Sequence, residues 1–284
     1  MRVQRAALLL LIAGVLVLAA GCGSVPALNH ASSVAKSRLA EAETRAAALA
    51  KSGDYGGAAR HYGEALRIAT SLENADAIAA NAINLSVVQQ WLGRDAEART
   101  ALAAVLDDPR TPFSERRKLQ AELRRAILEL STGNIGAAAV WAGQADRRCT
   151  QASCEYAATI LNVRAQVALE SGQAAEAARL AQAAAERSRG GAGRAETANA
   201  LRILGRARHA QGEALGALEP LRQALEIDRE LGDPRKILAD LAELARAADA
   251  TGDAGAARDY RERGLAVSRA MNGARGATEA VLVR

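Results

Sequence analysis

Six short strings decide the reading of this chain: GDYGGAA at 53–59, GRDAEAR at 93–99, GNIGAAA at 133–139, GQAAEAA at 172–178, GEALGAL at 212–218 and GDAGAAR at 252–258. Their leading glycines are spaced by 40, 40, 39, 40 and 40 residues. A fixed period of that size marks an array of like units, each of which buries its apolar face only against its neighbours. Five positions after each glycine stands an alanine: Ala58, Ala98, Ala138, Ala177, Ala217 and Ala257. Seven further on the residue is again small or apolar: Ala65, Val105, Ala145, Ala184, Ala224 and Gly264. Residues seven apart share one face of a helix. Glycine tolerates the left-handed conformation that ends a helix. Each string therefore reads as the turn of a helical hairpin whose second helix packs closely through its alanines, and the chain holds six such hairpins.

Composition agrees. The 284 residues are 50% hydrophobic but only 2% aromatic. Alanine, the best helix former, dominates the apolar set, and the residues that favour strands are sparse. An all-α chain is expected. The linkers fit this register. Asp233-Pro234 and Thr111-Pro112 are expected to cap and start the first helices of hairpins 6 and 3. Gly190, Gly191 and Gly193 separate hairpins 4 and 5.

The pattern resembles the tetratricopeptide repeat. Gly53-Asp54-Tyr55 with Ala58, Tyr62 and Ala65 carries the resemblance in the first repeat. Leu204-Gly205, Gly212, Ala217, Leu221 and Ala224 carry it in the fifth. It extends over residues 33–271. The period of about 40 exceeds the usual 34 of that family, and alanine stands at many positions where the family places a bulky residue. The resemblance implies a right-handed α-solenoid that binds other proteins along a concave face.

The first residues read differently. Arg2 and Arg5 precede fifteen uncharged, mostly apolar residues at 6–20. That run is shorter than the roughly 20 residues of a membrane span and has the form of a secretory signal. Leu18-Ala19-Ala20-Gly21-Cys22 resembles the lipobox of bacterial lipoproteins, with Ala19 where leucine is more usual. The resemblance implies removal of residues 1–21 and diacylglycerol on the Cys22 sulfur, followed by acylation (palmitate or a similar chain) of the new N-terminus. Two or more chains anchor stably where one does so only marginally. Gly23 replaces the aspartate that retains many such proteins in the inner membrane, which points to the periplasmic face of an outer membrane. Residues 22–32 are expected to be a flexible tether, and 272–284 a frayed tail. Removing Arg2 and Arg5 from the net charge of +5 leaves +3. These charges are interspersed with acidic residues and lack stacking aromatics, so nucleic acid is not an expected partner.

With Cys22 lipidated, Cys149 and Cys154 form an even pair in an oxidising compartment. A disulfide across the linker between hairpins 3 and 4 is expected, two free thiols or a redox pair being the alternatives. Zinc would need two further ligands, and none is near. His30, His61 and His209 stand far apart, and no GxSxG, HExxH or phosphate-loop string occurs. No enzyme, cofactor or metal is expected. Trp91 and Trp141 read as packing or interface residues.

The groove of such an array is lined by first-helix residues 13, 10 and 6 positions before each glycine. In hairpins 2 and 3 these include Ile83, Val87, Leu123 and Ile127. In hairpins 4 to 6 they include Asn162, Gln166, Asn199, Arg202, Arg206 and Arg246, with His209 one turn beyond Arg206. An apolar half and an arginine-rich half result, suited to a peptide with apolar anchors and acidic groups. The functional expectation is a membrane-anchored scaffold or assembly factor, with pilus or secretion-system assembly as first choice. A lipoprotein that binds cell wall or anionic glycan is the alternative.

Overall fold

A computed structural model describes residues 26–149, 154–188 and 193–282, and these form twelve helices with no strand among them. In chain order they are α1 Pro26–Ser52, α2 Tyr55–Ser71, α3 Ala75–Trp91, α4 Asp95–Leu106, α5 Glu115–Ser131 and α6 Ile135–Arg148. The second half continues with α7 Ala157–Glu170, α8 Ala174–Arg187, α9 Arg194–Ala210, α10 Ala214–Leu231, α11 Pro234–Ala250 and α12 Ala254–Leu282. Each odd-numbered helix pairs with the even-numbered helix after it, giving the six expected hairpins. The expected signal sequence, residues 1–21, and Cys22 lie outside the described residues.

The glycine punctuation acts as the sequence implies. Gly53, Gly93, Gly133, Gly172, Gly212 and Gly252 all have positive φ, between 72° and 87°. At the end of α3 the Gly93 amide donates to the Gln90 carbonyl and the Arg94 amide reaches back to Gln89, both at 2.9 Å. This pair of bonds satisfies carbonyls that the helix end leaves open. Five of the six turns share the pattern. It also appears between hairpins, at Gly232 and at Glu73, whose φ of 49° is the one positive value at a non-glycine among the described residues. The alanines five after each glycine are fully buried in all six hairpins. Small residues at these contacts let paired helices approach closely.

Packing defines two layers. The odd helices pack on one another in series, α3 on α5, α5 on α7, α7 on α9 and α9 on α11, whereas even helices do not contact each other to a comparable extent. The more closely spaced layer lies on the inside of the curve, so the odd helices line the concave face. Between the layers Leu102, Leu128, Ile160, Leu221, Leu241 and Leu244 are almost wholly buried, each contributing roughly 1.5–3 kcal/mol.

Three local expectations change. α5 does not start at Thr111-Pro112; Ser114 is its cap, accepting from the Arg117 amide at 3.3 Å, while the Thr111 hydroxyl is taken by Asp108. Buried Phe113 plugs that linker. The tether expected over 22–32 is helical from Pro26 onward, proline being well suited to a first turn. The tail expected from 272 continues α12 to Leu282 in a stretch rich in alanine, a strong helix former. Asp233 caps α11 as expected, accepting from the Arg235 and Lys236 amides.

Candidate functional site

The inner helices are stitched by polar contacts that each span about one repeat. Asn81 on α3 donates to Glu43 on α1 at 2.7 Å. Arg117 on α5 forks onto Asp76 with two bonds of 2.7 Å. That pairing holds the Asp76 carboxyl below its ordinary range. Gln120 donates to the Tyr156 hydroxyl at 2.5 Å, and Asn162 on α7 donates to Glu196 on α9 at 2.7 Å. Lys236 on α11 donates to Asn199 on α9 at 2.9 Å. Contacts of this kind fix the rotation between hairpins, and hence the shape of the groove.

Within that groove α3, α5, α7 and the start of α9 enclose a cleft of about 360 Å³. Ile83, Leu123 and Ile127 line it, as the sequence suggests, together with Ala80, Gln120 and Thr159 from the same counting. Ile127 is 37% exposed and leaves apolar surface uncovered there. Arg117, Arg124 and Tyr156 also line the cleft and were not picked out by the sequence. Arg124 follows Leu123 by one position and falls between the counted residues. Tyr156 precedes the first turn of α7.

The arginine-rich half is arranged otherwise. Arg202 is only 8% exposed and is committed to its own protein. Its Nε donates to Asp240 at 2.5 Å, another nitrogen pairs with Asp228, and Nη1 donates to Asn199 at 3.0 Å. Asp240 is fully buried. Burial pushes its carboxyl up to about 6; Arg202 opposes this, and Asp228 adds to it. Burial, with Arg202 nearby, lowers the Lys236 ammonium. Arg206 bridges Glu170 at 3.0 Å and Glu243 at 3.2 Å and donates to Gln166 at 3.1 Å; Arg246 also pairs with Glu243. Asn162 is buried, Val87 and His209 are half-buried, and none of the three lines the cleft. The expectation of free arginine forks in hairpins 4 to 6 therefore changes for Arg202, which is an internal tie, and Arg206 is already bound to carboxylates on both sides. The reason is that Asp228, on the second helix of its hairpin, and Asp240, on the next hairpin, converge on Arg202, a convergence invisible to counting along first helices.

Cys149 and Cys154 are joined by a disulfide with Cα atoms 5.6 Å apart, at the turn leading to Tyr156. Trp91 packs against Tyr55 with the rings tilted by 49° and their centroids 4.8 Å apart, and the Arg235 guanidinium lies 4.7 Å from the Trp91 ring centre. Trp141 receives Arg125 at 5.6 Å. Among the described residues there is no group of three or more potential metal ligands, and no helix is long and apolar enough to cross a membrane.

Comparison with known proteins agrees with this geometry. Residues 156–230 match the tetratricopeptide repeat family model. No curated protein matches the chain. Among solved structures, BtubC (BKLC) from P. vanneervenii is similar over 84% of this chain and 92% of its own, at 20% identity and a TM-score of 0.56. A Rap protein complexed with competence and sporulation factor is similar over 85% of this chain and 67% of its own, at 17% identity and a TM-score of 0.59. The protein is a tetratricopeptide-like α-solenoid, and a fold of that kind suggests a scaffold for protein–protein interaction.

Proposed function

We propose that this protein is a non-enzymatic scaffold that holds a segment of another protein in the cleft between α3, α5 and α7, while a lipid on Cys22 fixes it to the cell envelope. The cleft carries the reading. It is open and apolar on one side, it is built from the inner helices, and cross-repeat bonds hold its walls. A similar fold is found in the Rap protein in complex with competence and sporulation factor. The lipobox-like run ending at Cys22 supports a lipid anchor, and Gly23 after it supports a place on the periplasmic face of an outer membrane. Within that setting, assembly of a pilus or secretion system is the role we favour.

Two experiments test the reading. A photo-crosslinking residue placed at Ile127 in cells should give a discrete protein adduct, whereas one at Val140, exposed on the outer helix α6, should not. Equal labelling from both positions would remove the cleft from the proposal. Cys22→Ser should abolish labelling by a fatty-acid probe and release the chain from the membrane fraction. Unchanged labelling would refute the anchor.

A further inference from the structure

Arg124 differs from the other buried arginine in one respect. It is 8% exposed, and no carboxylate among the described residues touches it. Its Nε donates to Ser86 Oγ at 2.8 Å, and its Nη2 donates to the Ser86 carbonyl at 3.0 Å and to Gln90 Oε1 at 2.5 Å. All three acceptors are neutral. Nη1 has no partner among the described residues, and the side chain forms part of the cleft wall. Asp95 on α4 acts on it only through space. Desolvation draws the guanidinium down to about 10, so it remains charged at neutral pH. Burying a charge costs several kcal/mol unless a counter-ion repays it. Among the described residues no carboxylate is in contact with it, and the residue lines the same cleft as Ile83, Leu123 and Ile127.

The other charged groups at the cleft do not fill the role. Arg117 is neutralised by Asp76, and Glu196, at the start of α9, accepts from the neutral Asn162 amide and keeps its negative charge without pairing with Arg124. Arg124 is thus the cation of the cleft wall left without a carboxylate partner among the described residues. We infer that the cleft selects a protein segment in which an aspartate or glutamate stands beside a large aliphatic residue, the carboxylate pairing with Arg124 and the aliphatic side chain resting on Ile83, Leu123 and Ile127. This inference rests on the scaffold reading and specifies its partner. A charge-assisted bond in a desolvated site contributes about 1.5–3 kcal/mol, which is tenfold or more in affinity.

The test uses the purified full chain and a phage-displayed library of random 12-residue peptides. Selected peptides should be enriched in an acidic residue next to Leu, Ile or Phe. Fluorescence polarisation of the best peptide should show binding weakened about tenfold or more by Arg124→Met. It should be weakened similarly by changing the peptide's acidic residue to its amide, and hardly further by both changes together. Helical circular dichroism of the variant should match wild type. Arg124→Gln provides a second reading should the methionine variant fold poorly. Peptides that bind in the cleft, lose affinity with Ile127→Asn, and yet show no coupling to Arg124 would overturn this inference and leave the scaffold intact. Failure to select any peptide that competes at the cleft would overturn both.

Discussion

Arg124 and Arg202 occupy the same layer of the molecule at the same exposure, 8%. Both are held by contacts that cross from one repeat to the next. Arg202 meets two buried aspartates, whereas Arg124 meets a serine, a carbonyl and a glutamine. The first is a closed ionic cluster joining α9, α10 and α11. The second is a cation whose charge is unmet. One array thus uses the same side chain in two ways: hairpins 5 and 6 spend their arginine on holding the solenoid together, while hairpin 3 leaves its arginine facing the groove.

The largest expected effect comes from breaking the closed cluster. Arg202→Met leaves Asp228 and Asp240 buried with only Lys236 nearby. Stripping one member from a buried ionic group destabilises by about 3–5 kcal/mol. Urea unfolding followed by circular dichroism should show that loss, concentrated in the C-terminal hairpins. A loss below about 1 kcal/mol would mean that water readily reaches the cluster, and that the tie is weaker than its geometry implies.

A smaller effect separates the two regions by packing. Seven residues before the turn glycine, hairpin 3 has Ala126 and hairpin 5 has Gly205. A Cβ built on Gly205 would meet Leu221 Cγ at 2.5 Å and the Ala217 carbonyl oxygen at 3.1 Å. Leu221 is itself 1% exposed and has little room to withdraw. Gly205→Ala should therefore destabilise by about 1–3 kcal/mol despite alanine's better helix propensity. Ala126→Gly, the reverse exchange, should cost about 1–2 kcal/mol through propensity and the loss of a buried methyl. A stabilised Gly205→Ala, seen as a raised Tm, would show that α9 and α10 adjust more freely than this contact allows.

The fold was legible because it depends on contacts close in sequence. The turn glycines and the alanines that follow them are fixed by the geometry of a single hairpin, and all six units repeat that geometry. The apolar wall of the cleft was legible for the same reason: Ile83, Leu123 and Ile127 occupy repeated positions on first helices. Arg202 was misplaced because its partners come from a second helix and from the next hairpin, where no local periodicity announces them. Arg124 escaped notice because it lies one position off the counted stripe, and only the packing of α3 against α5 turns it toward the cleft. The start of α5 was misplaced because Thr111-Pro112 has the same local chemistry as the true cap, Ser114.

The two regions should also part in their response to pH. The Asp240 carboxyl is raised from 3.8 to about 6, chiefly by burial. Between those values the folded state holds a proton that the unfolded chain has released. Its contribution is thus fully present below about pH 4 and lost as pH rises through 6. Glu129, near Arg124 on α5, has the opposite sign. Arg99, donating at 2.9 and 3.0 Å, leads a set of partners that lowers it from 4.5 to about 2. Its contribution is present above about pH 4.5 and is lost as pH falls through 2. Wild type should therefore gain stability relative to Asp240→Asn between pH 7 and 4, measured as the difference in Tm. Relative to Glu129→Gln it should lose stability below pH 4. A flat difference for Asp240→Asn would indicate that Arg202 keeps Asp240 charged throughout.

The smallest expected change is the one on which the contrast most depends. Arg124→Met removes a buried charge with no counter-ion and replaces it with a side chain of similar length. The lost bonds had neutral acceptors. The Ser86 carbonyl belongs to a helix interior, and the Ser86 hydroxyl has a helical carbonyl one turn back within reach. Relief from burying the charge should offset the lost bonds, leaving stability within about 1 kcal/mol of wild type. The same substitution at Arg202 costs several times more, so the two variants measured side by side in urea form a single test. If Arg124→Met is as damaging as Arg202→Met, the residue is structural cement for α3 and α5, and the groove has no charge to spare for a ligand.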